Sequence, residues 1–232
     1  MCIRDSSGAA SLRLTHALRA VHDAILVGID TVIADDPRLN VRLVEGSTPA
    51  AVVLDSRLRT PPHARLFDHH DRVLIITTEE AATLPAARQL TDRGATVVGV
   101  APDDSGRPHL ALALRALSQL GLDSVMVEGG AEIIHAFLDQ SRADAAVITV
   151  APIYVGGLPA YRRTEDGAPS GLRRLVNLAY DQLGDDLVIW GNFKTEPDGP
   201  ESASAAQPVN SPIHDLAGDS ADDSTAANSL TP

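Results

Sequence analysis

The sequence has little of several things that would announce a function. One cysteine, Cys2, among 232 residues makes an internal disulfide impossible and leaves no basis for a thiolate metal site. As the second residue it reads as a bystander in a frayed terminus. Lysine occurs once, as Lys194, and the net charge is −12. A broad basic footprint for nucleic acid or anionic membrane is therefore excluded, and any phosphate must be held locally by a few arginines and backbone N–H groups. No run approaches the roughly 20 apolar residues of a membrane helix. The opening MCIRDSSGAA has no apolar core of a secretory signal, so a soluble cytoplasmic protein is the expectation. There is no P-loop, no G-x-S-x-G elbow and no full dinucleotide fingerprint, which removes the sequence support for NTPase and hydrolase readings. The eight histidines are scattered, with His69-His70 in an acidic loop, and no metal is expected.

What is present is 44% hydrophobic residues, enough for one large core or two small ones. Residues 1–10 read as an irregular, displaced start that fits nothing after it. Residues 195–232 are rich in Ser, Ala, Pro, Asp and Asn, carry −7 of the net charge, and read as an acidic disordered tail. Between them, residues 11–194 alternate apolar runs with helical patterns. The runs at 24–28, 51–54, 72–77, 95–100, 124–127, 145–150 and 186–190 predict seven buried strands of one large sheet. Helices are predicted over 11–21, 84–93, 110–120 and 131–140. This alternation implies an α/β fold with a mostly parallel sheet covered on both faces.

Ligands of such sheets collect at the carboxyl ends of strands, so the residues just beyond each run are where binding groups are expected. After Gly28 a short helical turn carries Thr31 and Asp35 on one face. Asp35-Asp36-Pro37 ends it, since proline disfavours the helical region for the residue before it. Leu39 and Arg42 come next, in an extended stretch. Spacing alone reads this either as a platform of polar groups or as a plain helix stop with solvated acids. After Leu54, Asp55-Ser56-Arg57-Leu58-Arg59 offers a hydroxyl, a backbone N–H and a guanidinium fork for phosphate, or else a surface turn capped by Asp55. After Val127, Glu128-Gly129-Gly130-Ala131-Glu132 runs into a helix. The glycines allow close approach of a ligand to backbone, and the helix start offers N–H donors. A carboxylate repels phosphate, so Glu128 should turn away from it, toward substrate hydroxyl or amino groups. The glycines of 150–159 shape the same crevice or form a plain loop.

Taken together and in this order, LRAVHDAILVGIDTVIADDPRLNVR, VVLDSRLRTP and VMVEGGAEIIHAFL resemble the reductase domain of the riboflavin biosynthesis deaminase/reductase family, over about residues 7–193. The resemblance implies a dihydrofolate-reductase-like three-layer sandwich, NADPH as cofactor and a homodimer. It also implies reduction of the ribosylamino side chain of a pyrimidine 5′-phosphate to the ribitylamino form. Carried over residue by residue, it places Arg19, Leu39, Arg42 and Glu128 toward the substrate, with Arg19 and Arg42 on its phosphate and Glu128 as the catalytic candidate. It gives Thr31, Asp35, Ser56, Gly129, Gly130, Ala131 and Glu132 to the cofactor.

Two departures qualify the match. Members begin with a strand carrying a Ser-Leu-Asp-Gly-like motif, and nothing before Ser11 matches it. Many bacterial relatives also carry a zinc deaminase, whose H-x-E…P-C-x-x-C signature is not found in this sequence. The alternatives are a reductase of the same fold acting on another substrate such as a pterin, and a non-catalytic member.

Overall fold

A computed structural model describes residues 7–153 and 174–194 of the chain. The expected tail and most of the expected irregular start lie outside the described residues, as do the glycines at 156 and 157. The first helix, α1 (Ala9–Ala20), leads into β1 (Ala24–Gly28), α2 (Ile29–Asp35) and β2 (Ala50–Leu54). Then come β3 (Val73–Thr78), α3 (Pro85–Asp92), β4 (Ala95–Val100), α4 (Leu110–Gln119), β5 (Val125–Val127) and α5 (Ala131–Asp139). The last elements are β6 (Ala145–Val150), β7 (Leu175–Leu183) and β8 (Asp186–Phe193).

The first five strands form a parallel sheet in the order β4-β3-β2-β1-β5. Its central strands are buried on both sides, which is why they read as unbroken aliphatic runs rather than as alternation. Ile25, Val27, Val53 and Ile75 face one way, onto Ile29 and Val32 of α2 and Ala87 and Leu90 of α3. Leu26, Val52, Leu74 and Ile76 face the other way, onto Leu110, Ala113 and Leu117 of α4 and Phe137 of α5. Each such side chain contributes about 1.5–3 kcal/mol on leaving water, so the two helix layers and the sheet between them hold the body together.

The single seven-stranded sheet expected from sequence is corrected by the structure. β6, β8 and β7 form a separate antiparallel sheet in that order. β7 goes unseen in the sequence because Asn177, Asp181 and Gln182 break its apolar pattern and much of its surface is solvated. It is also irregular, with a register shift between Val176 and Ala179 and Asn177 at φ +52°. Gly184 at φ +65° makes the tight turn into β8. Among the described residues β5 pairs with β1 alone and β6 with β8 alone, so each presents an open edge.

The two sheets are tied through α1. Leu14 and Leu18 pack on Leu183, Val188 and Trp190 of the hairpin. The helix begins at Gly8 with no side chain of its own as cap. Buried Asp186 does that work from β8, its Oδ2 accepting from the Gly8 N–H at 2.8 Å and the Ser11 hydroxyl at 2.6 Å.

Candidate functional site

The strand order itself locates a crevice. From β1 the chain steps outward to β2, β3 and β4, then returns to the opposite side of β1 as β5, so the connections diverge between β1 and β5. At such a switch point the loops leaving the carboxyl ends splay apart and leave room for a ligand. The register pairs Leu26 with Val127 and Gly28 with Leu54, so all three predicted segments leave at this one edge.

α2 starts directly after Gly28, where a side chain has no room: a Cβ would lie 2.8 Å from Ile133 of α5. That close approach brings the two walls of the crevice together. Thr31, on the first turn of α2, lies against the glycine turn, with its Oγ1 3.4 Å from where a Gly130 Cβ would stand. Gly129 and Gly130 have φ +86° and +72°, which L side chains adopt only with strain. α5 then begins with no side-chain cap at Gly130, so its leading N–H donors are not covered by a capping side chain. Ala131 and Glu132 are exposed on its first turn. Asp35 is half-buried at the end of α2, one turn beyond Thr31.

The turn after β2 is rigid. Asp55 is completely buried, not a surface cap, and accepts from the Thr60 N–H at 2.7 Å, the Thr60 hydroxyl at 2.8 Å and the Arg57 N–H at 3.3 Å. These bonds support Leu58 at φ +53° and leave Ser56 half-buried at the tip. Of the two arginines offered here, Arg59 is engaged by Asp30 of α2 at 2.8 Å. That exposed pair links the β1 and β2 exits.

Arg19 is placed differently from expectation. It is buried in α1, and its Nε and Nη2 donate to the two oxygens of Glu128 at 2.9 and 2.5 Å, while Nη1 donates to the Asn40 carbonyl at 3.1 Å. A guanidinium committed in this way to protein acceptors is not aimed at a phosphate. It fixes Glu128, both of whose carboxylate oxygens accept from the guanidinium. Arg42 is exposed, with Nη1 donating to Asn40 Oδ1 at 3.2 Å.

The stretch from Asp36 to Arg42 belongs to no sheet, yet its backbone is bound at every second residue by a side chain from the scaffold. Arg65 donates to the Asp36 carbonyl from Nε at 2.8 Å, Nε2 of His70 faces the Arg38 carbonyl at 2.7 Å, Arg19 holds Asn40, and His16 Nδ1 accepts the Arg42 N–H at 3.1 Å. Within it Leu39 is buried at φ +55°, a conformation that costs about 1–3 kcal/mol for a bulky residue and persists only when its surroundings enforce it. None of His16, Arg65, His70 and Asp55 is visible in the sequence as a site residue, since their partners are backbone groups distant along the chain or within a buried turn. Arg107 carries no such signal either: it pairs with Glu132 at 3.0 Å beside the α5 start.

Burial, with the positive charges of Arg19 and Arg42, lowers the His16 pKa to about 4. Its unfolded value is about 6.5, so the folded state resists protonation. The stabilisation is fully present above pH 6.5 and is lost as pH falls toward 4. His16→Asn keeps an acceptor for the Arg42 N–H and cannot titrate. Melting temperatures across pH 7 to 4 should fall less steeply in this variant than in the parent, and equal slopes would refute the assignment.

Among the described residues no group of three or more His, Cys, Asp or Glu could hold a metal. His135 does meet Asp139 at 3.3 Å one turn along α5, a pairing that scattered histidines did not suggest, but among the described residues no third ligand joins them. No helix among the described residues is long and apolar enough to cross a membrane.

Comparison with known proteins adds a family. The model for the RibD C-terminal domain matches residues 4–189. A 2,5-diamino-6-ribosylamino-4(3H)-pyrimidinone 5′-phosphate reductase of Methanothermobacter thermautotrophicus is 35% identical over 190 residues, covering 79% of this chain and 85% of the relative. One of the same name from Archaeoglobus fulgidus is 36% identical over 192 residues, covering 78% and 84%. Among solved structures, RibD of Acinetobacter baumannii superposes with a TM-score of 0.66 at 27% identity, covering 82% of this chain and 52% of that one. The riboflavin biosynthesis reductase Rib7 of Saccharomyces cerevisiae gives the same TM-score at 22% identity over 82% and 83%, a likeness of fold.

Proposed function

The chain belongs to the RibD C-terminal domain family, a family of reductases with a dihydrofolate-reductase-like fold, and from that premise we propose that it reduces the ribosylamino side chain of a pyrimidine 5′-phosphate to the ribitylamino form with NADPH. The observation that carries the reading is the pairing of a glycine turn and uncapped α5 start against Thr31 on one wall with the Arg19-fixed Glu128 on the other. One wall suits cofactor phosphates and the other suits a polyhydroxyl substrate.

A nicotinamide cofactor fits the first wall: Thr31, Asp35, Ser56, Gly129, Gly130, Ala131 and Glu132 would hold it, and when bound it supplies the hydride. The substrate must open before reduction. The amine nitrogen lone pair forms a double bond to C1′ as the bond from C1′ to the ring oxygen breaks, the ring oxygen takes a proton from solvent to become a hydroxyl, and C1′ of the resulting iminium accepts hydride. Glu128 accepts hydrogen bonds from the sugar hydroxyls and favours the cationic carbon by its charge. Arg19 keeps it oriented, and the main chain at Leu39, whose side chain packs into the core, borders the sugar. Arg42 takes the 5′-phosphate, which is left to it because Arg19 is engaged elsewhere. The protein thus supplies orientation and electrostatics around chemistry carried by the cofactor.

Two relatives carry the diaminopyrimidinone in their names, which makes it the first substrate to test against its deaminated counterpart. NADPH consumption with the diamino compound is the expected result, and inertness with both compounds would overturn the reading. A homodimer belongs to the same proposal. Its support is the antiparallel sheet, on which Val147, Ile148, Val150, Leu178, Tyr180 and Leu187 are exposed. Sedimentation at tens of micromolar should show two copies, and a monomer there would remove this part.

A further inference from the structure

We propose that His70 is a positioning residue for the substrate wall, donating from Nε2 to the Arg38 carbonyl and so holding the peptide that precedes Leu39. The proposal rests on the reading of Leu39 and Arg42 as substrate-facing and extends it to a residue that touches neither ligand.

His70 is buried just before β3. Its two ring nitrogens each face a main-chain carbonyl at 2.7 Å: Nδ1 that of Pro49, at the entrance to β2, and Nε2 that of Arg38. The ring therefore bridges the sheet and a segment that has no ladder of its own. The Arg38–Leu39 peptide is where that segment needs holding. Leu39 stands in the left-handed region without the freedom of glycine, and rotation of this peptide would relax it. Such a rotation would turn the Leu39 side chain away from its buried position and shift the approach to Arg42. Arg65 secures the neighbouring Asp36 carbonyl and cannot substitute at Arg38, two residues on. Burial draws His70 toward its neutral form, while the carbonyls of Pro49 and Arg38 favour added protons. A neutral ring has one N–H for two carbonyls, so the question is which one matters for function.

Two amide replacements separate the bonds. The Asn amide nitrogen stands near the position of Nδ1 and can serve Pro49, whereas the Gln amide nitrogen stands near that of Nε2 and can serve Arg38. Loss of one neutral hydrogen bond converts to about a three- to tenfold change. His70→Asn should raise the KM for the sugar phosphate by that factor, with kcat and the NADPH Kd within twofold. His70→Gln should restore KM. In the ligand-free protein, amide exchange at residues 39–42 should be faster in His70→Asn than in His70→Gln. Equal KM values in the two variants, or KM changes that merely follow their melting temperatures, would overturn the proposal. If the parent enzyme does not turn over the sugar phosphate, the functional reading fails separately. The exchange comparison then decides whether His70 positions the segment, and equal exchange rejects it.

Discussion

Glu128→Gln should lower kcat/KM by about two orders of magnitude and also destabilise the fold, because one substitution removes two functions of the same carboxylate. A hydrogen bond to a charged group is worth about 1.5–3 kcal/mol, so exchanging the charged acceptor of the sugar hydroxyls for a neutral amide accounts for most of the kinetic effect. The stability effect comes from Arg19, whose side chain is 10% exposed and would face an amide N–H in place of a carboxylate oxygen. Breaking a buried ion pair from one side costs about 3–5 kcal/mol, and the 28% exposure of Glu128 reduces this to about 2–3 kcal/mol. For a body of this size that is a loss of roughly 4–12 °C in Tm. The double variant Arg19→Met/Glu128→Leu separates the two roles. Replacing both charges by apolar groups removes the unpaired cation, so Tm should largely recover while turnover does not. Recovered turnover in the double variant would make the pair structural only.

Arg42→Gln should weaken substrate binding about ten- to a hundredfold, by loss of a charge-assisted contact to the phosphate. The phosphate is remote from C1′, so the change should fall mainly on KM, with a smaller loss in kcat if the same contact orients the sugar. NADPH affinity should hardly move. The structure sharpens this expectation in two ways. The backbone of Arg42 is anchored by His16, so its guanidinium is exposed on a fixed base. Arg19, the other arginine that the sequence offers to the phosphate, is engaged by Glu128 and Asn40. An Arg42 that only decorates the surface would be worth about 0–1 kcal/mol, and an unchanged KM would remove it from the site.

How far the sequence could be read depended on where the partners of each residue lie. The strands β1 to β3 are legible because their neighbours on both faces are apolar, and burial then leaves a continuous aliphatic run. Thr31, Ser56 and Gly130 are legible as one group because each lies just beyond a strand of the same parallel sheet, and parallel strands deliver their exits to one edge. The division into two sheets is not, since an antiparallel hairpin with a solvated face carries few consecutive apolar residues. Nor are the roles of Arg19, His16 and His70. Arg19 reads as an available cation until its helix is packed, and only then does Glu128, 109 positions away, become its partner. The two histidines bind main-chain groups 21 to 32 residues distant, and backbone carbonyls and amides leave no trace in residue identity. Asp55 reads as a turn cap, which it is, but its burial comes from the packing of the turn around it.

On the proposed function, the crevice brings a reduced nicotinamide and the C1′ carbon of an opened ribosylamine together for direct hydride transfer. This is tested most directly by turning over the diaminopyrimidinone 5′-phosphate with NADPH deuterated at the transferring position of the nicotinamide and locating the label in the product by mass spectrometry. The expected product is the ribitylamino compound carrying one deuterium at C1′. Product without deuterium at C1′, or no product while NADPH is shown to be bound, would contradict it.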